Sequence, residues 1–148
     1  MDDIDRKISN LIQKNGRLSS ADIAAAVGVS VSTANERVRR LTSSGIVKEW
    51  RAVLNPKNVG ASLCALIMID VNYDGEAETT KTLSSFKEIQ EIHHISGAHS
   101  YLMKIRVADT DALQKFLSEK VKPLTGVTGT ESFIVLDTVK ETTEVLIS

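Results

Sequence analysis

Apolar side chains recur at the spacing of a helix in three short stretches near the start of the chain. The first follows Asp2 and Asp3, either of which can cap a helix, and Gly16 can end it in the left-handed conformation. Its apolar positions share one face: Ile4, Ile8, Leu11 and Ile12. The second stretch begins with a capping hydroxyl at Ser19 and an acid three residues later, and Gly28 interrupts it. The pattern predicts two helices followed by a tight turn.

The third stretch predicts a helix from Val31 to Ser43, which Gly45 ends. Ala34, Val38 and Leu41 lie within a narrow apolar arc of this helix. The opposite face and its two shoulders carry polar and charged side chains, mostly small or basic, namely Ser32, Thr33, Asn35, Glu36, Arg37, Arg39 and Arg40. A helix of this kind presents its polar face to a charged partner.

Strands and helices alternate in the rest of the chain. A short strand from Ile46 to Leu54 and a turn beginning at Asn55 come first. A continuous apolar run from Leu63 to Val71 predicts a buried strand, and alternation from Tyr101 to Val107 predicts a half-buried one. The other predicted elements are a helix from Glu76 to Lys87, a strand from Ile89 to Ile95, a helix capped by Asp109 or Thr110, and a strand from Thr130 to Val139. The order β-α-β-β-α-β is typical of a ferredoxin-like domain, with both helices on one face of an antiparallel sheet.

Composition and charge narrow the class of protein. No apolar run approaches the roughly 20 residues that cross a bilayer, and the acidic start is unlike a secretory signal. The single cysteine, Cys64, cannot form an intramolecular disulfide, which fits a reducing compartment. Residues 1–51 contain nine Lys or Arg and six Asp or Glu, whereas residues 52–148 contain nine and thirteen. A basic segment beside an acidic one is expected of a nucleic-acid-binding domain joined to a second domain, in a cytoplasmic protein.

A short helix, a turn with a glycine and a second helix with a polar face form the pattern of a helix-turn-helix. The turn fixes the angle between the helices, so the second can enter the major groove of DNA. Ser30, which begins that helix, can offer its hydroxyl or backbone N–H to a phosphate. The DNA-binding candidates are therefore Ser30, Ser32, Thr33, Asn35, Glu36, Arg37, Arg39 and Arg40. The alternative is a three-helix packing unit with a solvated face, but the caps, the glycine and the basic face agree with one another.

The sequence also resembles the Lrp/AsnC (feast/famine) family of transcription regulators over nearly its whole length. The matching stretches are residues 2–17, 28–47 and 54–60 and the β-α-β-β-α-β half. The predicted architecture is α+β: a (winged) helix-turn-helix domain at 1–52, a linker at 53–62, and a ferredoxin-like domain for effector binding and oligomerisation at 63–148. The resemblance implies an amino-acid effector, and homodimers that often assemble into octamers.

One loop departs from the pattern of the family. The family's effector loop usually reads glycine, two variable residues and aspartate, whereas this loop reads Gly97, Ala98, His99 and Ser100. A hydroxyl is a poorer partner than a carboxylate for the ammonium of an amino acid, so weak binding is expected, or a preference for a side chain that His99 recognises. The polar start of the last strand completes the predicted effector site with Thr130 and Ser132.

Other chemistry finds little support in the sequence. His93 and His94 are adjacent on a strand and point to opposite faces, so no metal site or cofactor is predicted. The one tryptophan, Trp50, is expected to pack rather than to stack on a base. A small metabolic enzyme is the rival from another class, but no nucleophile–base pair or paired carboxylates come together. The prediction is a nucleoid-associated regulator that binds double-stranded DNA; the alternative is an architectural DNA-binding protein that responds to no effector.

Overall fold

The computed structural model describes residues 1–147, which divide into two units. The first unit holds residues 1–53 and 140–147, and the second holds residues 54–139. The helices are α1 (Asp3–Lys14), α2 (Ser20–Val27), α3 (Val31–Ser43), α4 (Glu76–Ser84) and α5 (Thr110–Phe116). The strands are β1 (Leu63–Val71), β2 (Ile89–His94), β3 (Tyr101–Val107) and β4 (Val127–Ile134). Within residues 1–147, every helix is too short or too polar to cross a membrane.

Local signals set the helices of the first unit. The side chain of Ser19 accepts from the backbone N–H of Asp22, and the Asp22 carboxylate accepts from the backbone N–H of Ser19, so α2 starts with a capping box as predicted. Gly28 then takes φ 75°, a left-handed conformation that favours glycine, and turns the chain from α2 into α3. The core of the unit consists of Ile8, Ile12, Ile23, Ala24, Ala34 and Leu41. Residues predicted for the apolar faces of the three helices therefore meet in one core.

Two expectations for this part of the chain are wrong. Asn15, not Gly16, ends α1, and Gly16 lies against the ring of Trp50, which packs within this unit. The strand predicted from Ile46 to Leu54 is extended chain without strand pairing, since no other described segment of this unit offers a strand to pair with. The tail at 140–147 lies with the first unit, and the backbone of Val145 exchanges two hydrogen bonds with the side chain of Gln13.

The second unit has the predicted β-α-β-β-α-β order, in a four-stranded antiparallel sheet with strand order β2-β3-β1-β4. Alternate residues of β1 and β3 pack with residues of α4 and α5 in one core, and those in the middle of each strand are fully buried. The core comprises Ala65, Ile67, Ile69, Leu83, Met103, Ile105, Val107, Leu113, Phe116 and Val121. Cys64 is buried too, as expected of a small apolar side chain. Because both helices cover one face, the other face of the sheet lacks a helical layer.

Several boundaries differ from prediction in the second unit. The last strand is Val127–Ile134 rather than 130–139, because its register pairs Ile134 with Ala65 close to the start of β1. The helix predicted to reach Lys87 ends at Ser84, and β2 ends at His94. Tertiary pairing sets these ends, whereas β1 and β3 match their predicted bounds.

Candidate DNA-binding and effector-binding sites

The polar face of α3 is exposed, as a surface for DNA recognition must be. Seven of the eight predicted DNA-binding residues are exposed, namely Ser30, Ser32, Thr33, Asn35, Glu36, Arg39 and Arg40. Arg39 donates from Nη2 to Glu36 Oε2 at 2.6 Å, and both side chains remain largely in solvent. A surface pair of this kind contributes little to stability. Arg39 can therefore exchange Glu36 for another acceptor at a small cost in free energy.

Ser30 acts as the N-cap of α3. Its Oγ accepts from the backbone N–H of Thr33 at 3.1 Å and lies 2.7 Å from Thr33 Oγ1 and 3.1 Å from Ser32 Oγ. The hydroxyl predicted to meet a phosphate is therefore already part of the cap. The three hydroxyls form a cluster at the helix N-terminus, where the helix dipole favours an anion.

Arg37 and Arg40 contact α1 instead of standing free. Arg37 Nη1 donates to Asp2 Oδ2 at 2.5 Å and to Asp5 Oδ1 at 3.0 Å. Arg40 Nη2 lies 3.0 and 2.9 Å from the two oxygens of Asp5. The Asp5 side chain is 6% exposed, that of Arg37 20% and that of Arg40 56%. A nearly buried carboxylate thus ties α3 to α1, while much of Arg40 still faces solvent.

The charges of this network shift the pKa values of its members. Hydrogen bonds from the Arg37 guanidinium and the Asp5 backbone hold the pKa of Asp2 at about 2, below its usual 3.8. Burial raises the pKa of Asp5, but hydrogen bonds from Arg37 and the Asp2 backbone, with the charge of Arg40, bring it below the usual value. Asp2 and Asp5 raise the pKa of Arg37 in return. These shifts keep Asp2, Asp5 and Arg37 charged at neutral pH.

The loop of the predicted effector site is tied to the end of β1. Gly97 takes φ 122°, which other residues rarely adopt. The backbone N–H of Ser100 donates to Ile69 O at 3.2 Å and to Asp70 Oδ1 at 3.3 Å, and Ser100 Oγ accepts from the backbone N–H of Val71 at 3.4 Å. The serine is therefore occupied in holding the loop against β1.

His99 lies between two carboxylates. Its Nδ1 is 3.2 Å from Asp70 Oδ2, and its Nε2 is 3.2 Å from Glu131 Oε2. Sequence reasoning missed both acids, since each is remote from the loop along the chain and becomes its neighbour only through strand pairing.

The predicted effector residues on β4 do not join His99. Thr130 pairs with Ile69 and Ser132 with Ile67, and these isoleucines face the helices. Cross-strand partners share a face of the sheet, so Thr130 and Ser132 lie on the helix-covered side and Glu131 on the other. Within one chain, the loop therefore meets Glu131 and not the two hydroxyls.

The remaining histidines have partners of their own. His93 Nε2 lies 3.1 Å from Glu91 Oε2, and the ring of His94 stacks on Tyr101 with 4.8 Å between centroids. Across residues 1–147, no three metal-binding side chains come close enough to hold an ion.

Two stretches of the chain match models of known protein domains. Residues 1–48 match a winged helix-turn-helix DNA-binding domain, and residues 64–145 match the Lrp/AsnC ligand-binding domain. The chain belongs to the Lrp/AsnC family. The protein is accordingly a DNA-binding transcription regulator with a ligand-binding domain, and the resemblance drawn from the sequence is confirmed. The alternative of a small metabolic enzyme is wrong, since the relatives are transcription regulators.

Named relatives match nearly the full length of this Lrp/AsnC chain. HTH-type transcriptional regulator FL11 of Pyrococcus furiosus is 38% identical over 97% of the chain and 95% of its own length. The leucine-responsive regulatory protein of Escherichia coli K12 is 37% identical over 99% of the chain and 92% of its own length.

Solved structures of the Lrp/AsnC family superimpose on nearly the whole chain. The regulator NMB0573 of Neisseria meningitidis, in complex with L-Met, matches with a TM-score of 0.95 at 27% identity, covering 99% of this chain and 96% of that one. AsnC of E. coli matches with a TM-score of 0.90 at 28% identity, covering 97% of both chains. These matches confirm the predicted architecture of a helix-turn-helix followed by a ferredoxin-like domain.

The lowered pKa values of Asp2 and Asp5 predict acid sensitivity of the DNA-binding unit of this Lrp/AsnC protein. A carboxylate whose pKa is lower in the folded than in the unfolded state stabilises the folded protein. This contribution is fully present above the pKa of the unfolded state, and it is lost as the pH falls through the pKa of the folded state. For Asp2 the window runs from 3.8 down to about 2. Urea unfolding between pH 5 and pH 2 should therefore show a falling free energy of unfolding.

Asp2→Asn should flatten this dependence, whereas Asp3→Asn serves as the control, because the Asp3 side chain is 90% exposed. Equal slopes for the two variants would mean that the Asp2–Arg37 pair does not stabilise the unit.

Proposed function

We propose that this protein regulates transcription by binding a specific operator through α3, and that an amino acid modulates the binding. The observation that carries the DNA half is the exposed polar face of α3, held to α1 by the nearly buried carboxylate of Asp5. A rigidly supported helix presents its side chains to base edges at fixed positions, which direct readout requires. We place its site of action on the chromosome, in the cytoplasm and associated with the nucleoid.

The side chains of α3 divide between two roles. We assign the reading of base edges to the exposed residues without a contact to α1, namely Ser32, Thr33, Asn35, Glu36 and Arg39. Arg37 holds α3 in place, while the exposed part of Arg40 reaches a DNA phosphate. The N-terminus of α3 at Ser30 adds a second phosphate contact through its backbone.

The effector is an amino acid that binds in the second unit at the Gly97–Ser100 loop. Support comes from NMB0573, whose structure was obtained as a complex with L-Met, and from the leucine-responsive relatives named above. Thr130 and Ser132 lie on the far side of the sheet from His99 within one chain, so they would reach the same ligand only from another subunit.

The open face of the sheet supports a homodimer. Strand pairing puts Leu66 beside Phe133 and Met68 beside Leu102, and these four side chains face away from the helices. An apolar patch on an uncovered sheet is stabilised when a second layer covers it. We infer that two copies pair through this face with two-fold symmetry, and that dimers assemble further into octamers. Two helix-turn-helix units would then bind the half-sites of a palindrome.

Operator selection from a random DNA library tests the DNA half. The wild-type protein should enrich a palindrome, and Arg39→Ala should weaken binding to it by about 1–3 kcal/mol and relax one base position in each half-site. Arg17→Ala is the matched control, since Arg17 is an exposed arginine of the same unit outside α3. Its affinity should fall by a similar small factor for all sequences.

If the selection enriches no sequence, and the protein binds all DNA with equal affinity at every salt concentration, the alternative of an architectural DNA-binding protein is favoured. Arg39→Ala and Arg17→Ala behaving alike on the selected operator would show that α3 does not read bases through Arg39.

A further inference from the structure

Asp70 is the carboxylate to which the Gly97–Ser100 loop is attached. It lies at the next to last position of β1, and its Oδ1 accepts from the backbone N–H of Ser100 at 3.3 Å. Its Oδ2 lies 3.2 Å from His99 Nδ1. One acidic side chain from the sheet thus contacts two consecutive residues of the loop.

Glu131 brings a second carboxylate to the same place from the neighbouring strand. It lies on β4, and its Oε2 is 3.2 Å from His99 Nε2. Both nitrogens of His99 therefore face acidic oxygens. Because a carboxylate can only accept hydrogen bonds, this position attracts groups that carry a positive charge and several N–H donors.

The space next to Asp70 is left open by a glycine. Gly129 is the partner of Asp70 in the pairing of β1 with β4, and a Cβ added there would stand 3.4 Å from Asp70 Oδ2. The side chain of Asp70 is 38% exposed even with the His99 ring beside it. In the single chain, a small donor can therefore reach the carboxylate, which lies near the end of β1.

We propose that Asp70 provides the carboxylate that the loop lacks at Ser100, so that it binds the α-ammonium group of an amino-acid effector, with Glu131 as the second acidic neighbour. This inference rests on the proposed function, which places the effector at this loop. An ammonium group has three donors and a full positive charge, so it competes with the His99 ring for Asp70. His99 then moves toward Glu131 or toward the side chain of the ligand. Binding does not require an acid at position 100.

Calorimetric titration of the full-length protein tests the inference. L-Methionine and L-leucine are titrated first, then the other proteinogenic amino acids, and the best binder is titrated into the variants. Asp70→Asn should weaken its binding by about tenfold or more, because a charge-assisted hydrogen bond is replaced by a neutral one. Asp137→Asn, the same change at an exposed acid of the same unit, should leave the affinity unchanged.

Two further measurements separate the loss of charge from damage to the loop. The α-hydroxy acid analogue of the best binder lacks the ammonium group, so it should bind the wild-type protein more weakly and lose nothing further in Asp70→Asn. Gly129→Ala keeps the charge but narrows the space beside Asp70, so it should also weaken binding of the amino acid. If thermal melting without ligand shows that Asp70→Asn does not fold, two other affinities test the inference. These are the affinity of Gly129→Ala for the amino acid and the affinity of the wild-type protein for the analogue.

The outcomes distinguish this inference from the proposed function. If an amino acid binds the wild-type protein and Asp70→Asn binds it equally well, Asp70 is not its partner, and the effector half of the proposed function stands. If Ser100→Asp binds the amino acid tenfold or more tightly than the wild-type protein, and Asp70→Asn has no effect, then no other carboxylate replaces the family's aspartate in this site. If no amino acid of the panel binds the wild-type protein, both the inference and the effector half are overturned.

Discussion

Replacing Asp5 by alanine is expected to destabilise the first unit by about 3.5–4 kcal/mol. Breaking a buried ion pair on one side costs about 3–5 kcal/mol, because the remaining charge loses its partner in a poorly solvated place. Asp5 is nearly buried and accepts from both Arg37 and Arg40. The lower end of the range applies, since more than half of the Arg40 side chain is in contact with solvent. Loss of the carboxylate that accepts from the Asp2 backbone adds a capping contribution of about 0.5–1 kcal/mol.

The single tryptophan makes this change measurable in the first unit alone. Trp50 packs against Gly16 in that unit, so its fluorescence during urea unfolding follows the helix-turn-helix and not the sheet. Asp3→Ala is the control, as a neighbouring acid that is 90% exposed, and should cost little. The double variant Asp5→Ala/Arg40→Ala should lose less than the two single variants together, since it leaves fewer unpaired charges. Full additivity would mean that Asp5 and Arg40 do not stabilise each other.

The Asp5 network also shows which contacts the sequence alone could not predict. Local signals predicted the caps of α2, the left-handed Gly28 and the bounds of α3, because each depends on residues within one turn. Asp5 lies three residues before Ile8 and seven before Ile12, so the periodicity places it beside the apolar face of α1. An acid at such a position signals a buried partner. Which arginines supply it depends on how α1 and α3 pack, and that is a tertiary property.

The same limit applies to the second unit. The patterns of β1 and β3 predicted their bounds, whereas the start and end of β4 depend on its register against β1. Pairing also brings Asp70 and Glu131 to His99, across separations of about thirty residues in the chain. The resemblance to the family pointed to the loop and to the missing acid, but not to the acids that fold beside it.

Placing a charge on the open face of the sheet is expected to have the largest effect on DNA binding. Phe133 lies on that face opposite Leu66 and is 46% exposed in the single chain. In a two-fold dimer through this face, Phe133→Glu introduces two carboxylates that must lose water on pairing, since each subunit contributes one. The dimer dissociation constant should rise by about 100-fold or more. A monomer then binds one half-site without the second site held nearby, so operator affinity should fall by a further factor of about 10²–10⁴.

Sedimentation velocity of wild-type protein and Phe133→Glu at micromolar concentration measures the first effect, and binding to the selected palindrome measures the second. Tyr73→Glu is the control, because Tyr73 is a 90% exposed aromatic residue of the same unit that lies in a loop. It should leave both assembly and DNA affinity unchanged. A wild-type protein that sediments as a monomer at tens of micromolar would refute pairing through the sheet. Should Phe133→Glu remain a dimer with full operator affinity, the subunits must pair through another surface, because two unpaired carboxylates at the centre of an apolar interface would not be tolerated.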